Sequence, residues 1–181
     1  MTNLIKKTGL WLFIFVLTSF AAYQAALRVT PYVTMEIAAD KLFADHDTNR
    51  ILHAPVITHH SRQVVRPSPD LLYSICGFDL SAGPLHISLP PVSNNYWSIS
   101  AYADNTDNFW VMNDFNSQAV KRLIFLGTAE QVARLDPREA KHAIAAPSET
   151  GIILFRHLLA LPEDFDRVDQ IRRQGNCSPI D

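Results

Sequence analysis

The chain lacks most of the short motifs that mark a familiar chemistry. Only two cysteines, Cys76 and Cys177, occur in 181 residues, which excludes a Cys-x-x-Cys zinc or redox motif. Glycine is scarce, at six. None of those glycines falls in a P-loop, a Rossmann fingerprint or a Gly-x-Ser-x-Gly nucleophile elbow. No His-x-Glu-x-x-His spacing is present, and no cofactor is implied. Basic residues never run longer than a pair, and 16 basic against 18 acidic side chains leave a net charge of −2. Nucleic acid is therefore not an expected partner, because phosphate binding needs a concentrated positive face. Eleven prolines beside so few glycines also exclude a flexible linker. No internal repeat is visible.

What is present begins with a long uncharged run from Gly9 to Leu27. As a helix it spans about 28 Å, close to the hydrocarbon thickness of a bilayer. Lys6 and Lys7 precede it and Arg28 follows, so the positive-inside rule predicts a cytoplasmic N-terminus and an exported domain. Trp11 and Tyr23 sit near its ends, where amphipathic rings favour the interface. A cleaved signal peptide is the rival reading, with Ser19-Phe20-Ala21 as the cleavage site. A buried core helix is the third. The expected division is an anchor over 1–30, a helical or irregular connector over 31–58, and a β-rich domain over 59–181.

Export permits a Cys76–Cys177 disulfide, which would tie down the C-terminus. The alternative is two unpaired thiols, one in a strand and one on a frayed tail.

Past the anchor, Pro31 is expected to interrupt the helix, with Met35 to Ala44 as a short continuation. Residues 46–50 read as a turn and 51–62 show no periodicity. Strands are expected at Leu71–Leu80, Leu85–Leu89, Tyr96–Ala103, Phe109–Met112 and Val120–Leu126, with a turn at Asp114–Ser117. Thr128–Leu135 reads as a short helix, and His142–Ala146 and Gly151–Leu159 as two further strands. Short strands and tight turns point to antiparallel pairing. From Pro162, acidic residues open a last helix, Arg172 and Arg173 close it, and Gly175 stops it. Phe165, Val168 and Ile171 form its inward stripe. The predicted class is α+β, mainly antiparallel β with a sandwich or jelly-roll-like core, an N-terminal transmembrane helix and a C-terminal packing helix.

Residues 66–74, Arg66-Pro67-Ser68-Pro69-Asp70-Leu71-Leu72-Tyr73-Ser74, form one recognisable string. With Asp79-Leu80-Ser81-Ala82-Gly83-Pro84-Leu85, Tyr96-Trp97-Ser98-Ile99 and the segment from Ala145 to Leu154, it resembles the bacterial domain of unknown function 1254. The likeness runs from about residue 60 to 175, although Leu71 replaces a small hydroxyl residue frequent in longer members. The resemblance implies a β-rich core. It also suggests the short, membrane-anchored branch, whose members accompany a separate protein carrying the companion domain of unknown function 1214. It supplies no reaction.

The candidate polar cleft comprises Arg66, Asp70, Tyr73, Asp79, Tyr102, Asn105, Asp107 and Asn108. In a functional reading Arg66 binds an anionic group while Asp70 or Asp79 acts as acceptor or general base. The plainer and preferred reading is that these residues shape turns and one structural ion pair. His59 and His60, with His53 nearby, lack metal-ligand spacing. His157 reads as a core or edge histidine. Trp97 and Trp110 with Tyr96 and Tyr102 are expected in the core sooner than as a sugar-stacking platform. Two functions follow: an accessory subunit held in the bacterial inner membrane with its domain in the periplasm, or an envelope hydrolase using Arg66, Asp70 and Asp79.

Overall fold

The computed structural model describes residues 2–43, 47–62, 67–90, 95–115 and 124–180. In chain order these form α1 (Thr2–Phe43), β1 (Ile51–His53), β2 (Leu71–Asp79), β3 (Leu85–Ser88), β4 (Trp97–Ala103), β5 (Asn108–Asn113) and β6 (Ile124–Gly127). Then come α2 (Ala129–Ala133), α3 (Pro137–Ala140), β7 (Ala143–Ala145), β8 (Thr150–Leu158), α4 (Phe165–Arg172) and β9 (Asn176–Pro179).

The uncharged run and the segment after it make a single helix, which corrects the expected break at Pro31. Proline forfeits the bond to the carbonyl four residues back, but its ring holds φ near the helical value. Hydroxyls strengthen the flanking turns. Thr30 Oγ1 donates to the Ala26 carbonyl at 2.7 Å and Thr34 Oγ1 to the Thr30 carbonyl at 2.8 Å. Packing then favours continuity, because Met35 is buried and Phe43 meets the sheet. Large apolar side chains from Leu10 to Phe20 lie uncovered, as lipid-facing residues would. The helix is long and apolar enough to cross a membrane, by length and composition.

Two sheets enclose the core. One has the order β1-β2-β8-β4-β5 and the other β7-β6-β3-β9. All pairs are antiparallel except β6 with β7. That parallel pair departs from the expected pattern, and the connection through α2 and α3 allows it. Thr128 and Gln131 form a capping box on α2, and Gln131 Nε2 donates to the Leu80 carbonyl at 2.7 Å. Of the expected strand Val120–Leu126, the described residues hold β6, and residues 116–123 lie outside them.

Alternation decides the faces. Along β2 the side chains of Leu72, Ser74, Cys76 and Phe78 are buried. Cys76 and Phe78 join Ile99, Met112, Ile153 and Phe155 against Leu85, Ile87, Ile124 and Leu126 of the second sheet. Cys76 and Cys177 are bonded across that core, Cα to Cα 6.5 Å. The strand that carries Cys177 was not legible: β9 pairs with β3 where a frayed tail was the alternative. At the other end of β2, Leu72 packs on Val168 of α4, with Phe165 and Ile171 beside it. Gly151 sits where β8 and β4 pair, and a β-carbon there would approach the Tyr102 carbonyl to 2.2 Å. Only glycine fits.

Candidate functional site

The candidate carboxylates do not meet. Asp70 immediately precedes β2 and Asp79 is its last residue, which separates them by about 30 Å at the rise of a strand. Each does local work. The Asp70 carbonyl accepts from Leu159 N at 2.8 Å. Asp79 Oδ1 accepts from Ser81 N at 2.9 Å, and that hydrogen bond holds its carboxyl below the ordinary range. Asn49 grips the Asp79 backbone from both sides, accepting from its N–H at 2.7 Å and donating to its carbonyl at 2.8 Å. Arg66 lies outside the described residues. One strand therefore holds the two candidate acids apart, and they share no single cleft.

The remaining candidates divide between the same two ends. Tyr73 flanks Asp70, and its hydroxyl accepts from Ser68 N at 3.0 Å. Tyr102 is the penultimate residue of β4, beside the β4–β5 turn. In that turn Asn105 Nδ2 donates to Asp107 Oδ2 at 2.7 Å, and Asn108 Nδ2 donates to the Ala101 carbonyl at 3.1 Å. Thr106 there has φ 70°, so the loop's Asn and Asp residues shape a tight turn. Trp97 is core and Trp110 packs against the core, so they form no exposed stacking platform. His59 and His60 have ring centroids 3.8 Å apart. Among the described residues no group of three His, Cys, Asp or Glu has the geometry of a metal site.

Near the Asp79 end, a cleft of ≈ 520 Å³ separates α1 from the first sheet. Met35, Ala39 and Phe43 line it from the helix, and Gly77, Asp79 and Ile152 from the sheet. Glu36, Asp40 and Asp104 add negative charge at its edge. Apolar walls and acids without a metal-binding arrangement make it a packing seam between α1 and the sheet.

A buried polar network at the other end escaped the sequence reading. Arg172, expected to complement the dipole of α4, is 2% exposed. It donates through Nη1 to the carbonyls of Ala54 at 3.0 Å and Tyr73 at 2.7 Å, and through Nε to Asp169 Oδ1. Burial pushes the Asp169 carboxyl up, but hydrogen bonds from Arg173 and Arg172 outweigh it and hold the pKa below the usual value. His53 Nδ1 lies 2.8 Å from Ser74 Oγ. Burial, then the charges of Arg172 and Arg173, lower the pKa of His53. His157 is wholly buried, and neither ring nitrogen has a well-formed hydrogen bond among the described residues. Burial pushes its pKa down to about 4, against the Pro90 backbone and with help from the Arg172 charge. Ser74 beside a histidine suggests a nucleophile, but at 1% exposure it is closed to substrate. The network joins β1, β2, β8 and α4. It is structural.

Fold and geometry together define an α+β protein with two facing, mostly antiparallel sheets behind a long apolar N-terminal helix. The chain belongs to the family described as Protein of unknown function (DUF1254), which matches residues 48–179. That match takes in β1 (Ile51–His53), inside the stretch that showed no periodicity. The fold is similar to the crystal structure of the VPA0106 protein from Vibrio parahaemolyticus, with TM-score 0.64 and 14% identity. The likeness covers 83% of this chain and 36% of that one, so the chain spans little more than a third of the Vibrio protein's length. A putative uncharacterized protein from Burkholderia cenocepacia aligns with TM-score 0.46 and 17% identity over 64% of this chain and 33% of that one. No curated protein matches the chain.

Proposed function

We propose that the protein is a membrane-held accessory subunit of the bacterial envelope. Residues 9–27 of α1 cross the inner membrane with the N-terminus in the cytoplasm, and the domain over 59–181, with its connector over 31–58, works in the periplasm. Its partner is a protein carrying the companion domain of unknown function 1214.

The observation that carries this reading is the continuity of α1, which passes from an uncharged span into a segment packed on the sheet. Such a helix holds the domain close to the bilayer and in one orientation. The lysines before the span support the orientation. Pairing is supported by the longer Vibrio protein, in which this fold occupies a share of a larger chain.

Mild crosslinking of native membranes, nonionic detergent extraction and affinity capture of the full chain test the pairing. Co-purification of a protein of the companion type is expected. A monomer with no captured partner, before and after crosslinking, would overturn it.

A further inference from the structure

Arg156 lies near the end of β8, on the face of its sheet turned away from the second sheet. Phe155 and His157, its neighbours in sequence, point into the interior and are fully buried. Directly opposite residues of an antiparallel pair share a face, so Tyr73 and Ser98 flank Arg156 on either side. Ser98 and Ser100 are buried, at 0% and 1% exposure. Arg156 Nη2 donates to Ser100 Oγ at 2.8 Å, and the Tyr96 hydroxyl donates to Ser98 Oγ at 3.0 Å.

Two features of this guanidinium are unbalanced. No carboxylate of the described residues pairs with it, as with Arg28, Arg62 and Arg138, but those three are exposed and Arg156 is half-buried. Its Nε–H is buried without a hydrogen-bond partner. A partly dehydrated cation with a free donor is costly unless something negative meets it. Around it are hydroxyls that already accept a bond and keep a hydrogen to give: Ser100 accepts from Arg156, Ser98 from Tyr96, and Tyr73 from Ser68 N. Among the described residues that flank it across the strands, the lane is rich in donors and holds no acid.

We infer that the half-buried Arg156 guanidinium, held by Ser100 and flanked by Tyr73, forms a binding site for an oxyanion, the carboxylate or phosphate group of a small molecule. The planar guanidinium matches either group, two N–H donors to two oxygens. The Tyr73 hydroxyl adds a donor, and Ser100, itself closed to solvent, holds the guanidinium in place. This site is separate from the α1 cleft and does not depend on the accessory-subunit reading.

The test uses the full chain in nonionic detergent with ¹⁵N-labelled arginine, following the Nε–Hε signals. The Arg156 signal is the one lost in Arg156→Lys. Sodium succinate and sodium phosphate are titrated separately at fixed ionic strength, with sodium chloride as reference. The expected result is a saturable shift of the Arg156 signal by at least one of the two. Succinate alone assigns a carboxylate ligand, phosphate alone a phosphorylated one, and both a general oxyanion site. In Arg156→Gln the thermal stabilisation by the same anion should fall at least tenfold in apparent affinity, and in Ser100→Ala by less. No saturable shift with either anion, or an equal shift with chloride, overturns the site. If Arg156→Gln does not fold, the wild-type titration and Ser100→Ala still decide.

Discussion

The ring of Phe43, the last residue of α1, lies so close to Gly77 in β2 that a β-carbon there would stand 3.1 Å from it. Helix α1 and the sheet therefore meet through an aromatic ring on bare backbone, and this contact makes the end of the helix part of the domain. Gly77→Val should push the ring off the strand and cost about 1–3 kcal/mol. Urea unfolding reads the loss, and limited proteolysis between Phe43 and Ile51 should quicken. Phe43→Ala in the same chain should recover part of the loss, because the two changes share one contact.

The Cys76–Cys177 bond closes a sequence separation of 101 residues. In the chain-entropy account a loop of that size contributes up to about 4.7 kcal/mol. Replacing both cysteines with alanine should lower the unfolding free energy extrapolated from urea titration by a comparable amount, and dithiothreitol should do the same to the natural chain. Release should loosen β9 first, seen as fast amide exchange over residues 176–179 while β2 and β8 stay protected.

Arg172 satisfies two buried carbonyls on β2 and the chain after β1, besides the Asp169 carboxylate. Arg172→Leu removes a buried donor from all three, although the Ala54 N–H still serves the Tyr73 carbonyl and Arg173 the Asp169 carboxylate, and should cost about 1–3 kcal/mol. Arg173→Leu removes a cation that is 57% exposed and should cost under about 1 kcal/mol. Thermal unfolding of the two variants side by side separates a structural arginine from a helix-end charge.

Stability should fall on acidification before the carboxylates titrate. His157 has a folded pKa of about 4 against 6.5 for the free side chain. Between those values the unfolded chain binds the extra proton, so the stabilisation present above pH 6.5 is lost as pH falls toward 4. The full loss is about 3 kcal/mol. His53 and His86, both lowered by burial, push in the same direction. Denaturant midpoints measured from pH 7.5 to 4 should show this slope, and His157→Leu should flatten it.

Much of this architecture was legible because apolar and polar residues alternate along the strands. The alternation of Trp97, Ile99, Ala101 and Ala103 against Ser98, Ser100 and Tyr102 marked β4, and the end charges and Gly175 marked α4. Three features were not. β1 holds only three residues, too few to show a period, and is fixed by pairing with β2. β9 has no apolar alternation and is held by β3 and the disulfide. Pro31 carries a helix-breaking signal that tertiary packing overrides. For the site, spacing along the chain misled: Asp70 and Asp79 are near in sequence, and an extended strand puts them at opposite ends. The residues with unusual surroundings, Arg156, His157 and Arg172, belong to no motif, and only pairing across strands and to α4 brings out their environments.

Whether the domain lies across the membrane from the N-terminus is decided by paired fusions at the C-terminus. A phosphatase that is active only outside the cytoplasm should be active, and a green fluorescent protein exported in the same way should stay dark. A bright fluorescent fusion with an inactive phosphatase would contradict an exported domain carried on α1.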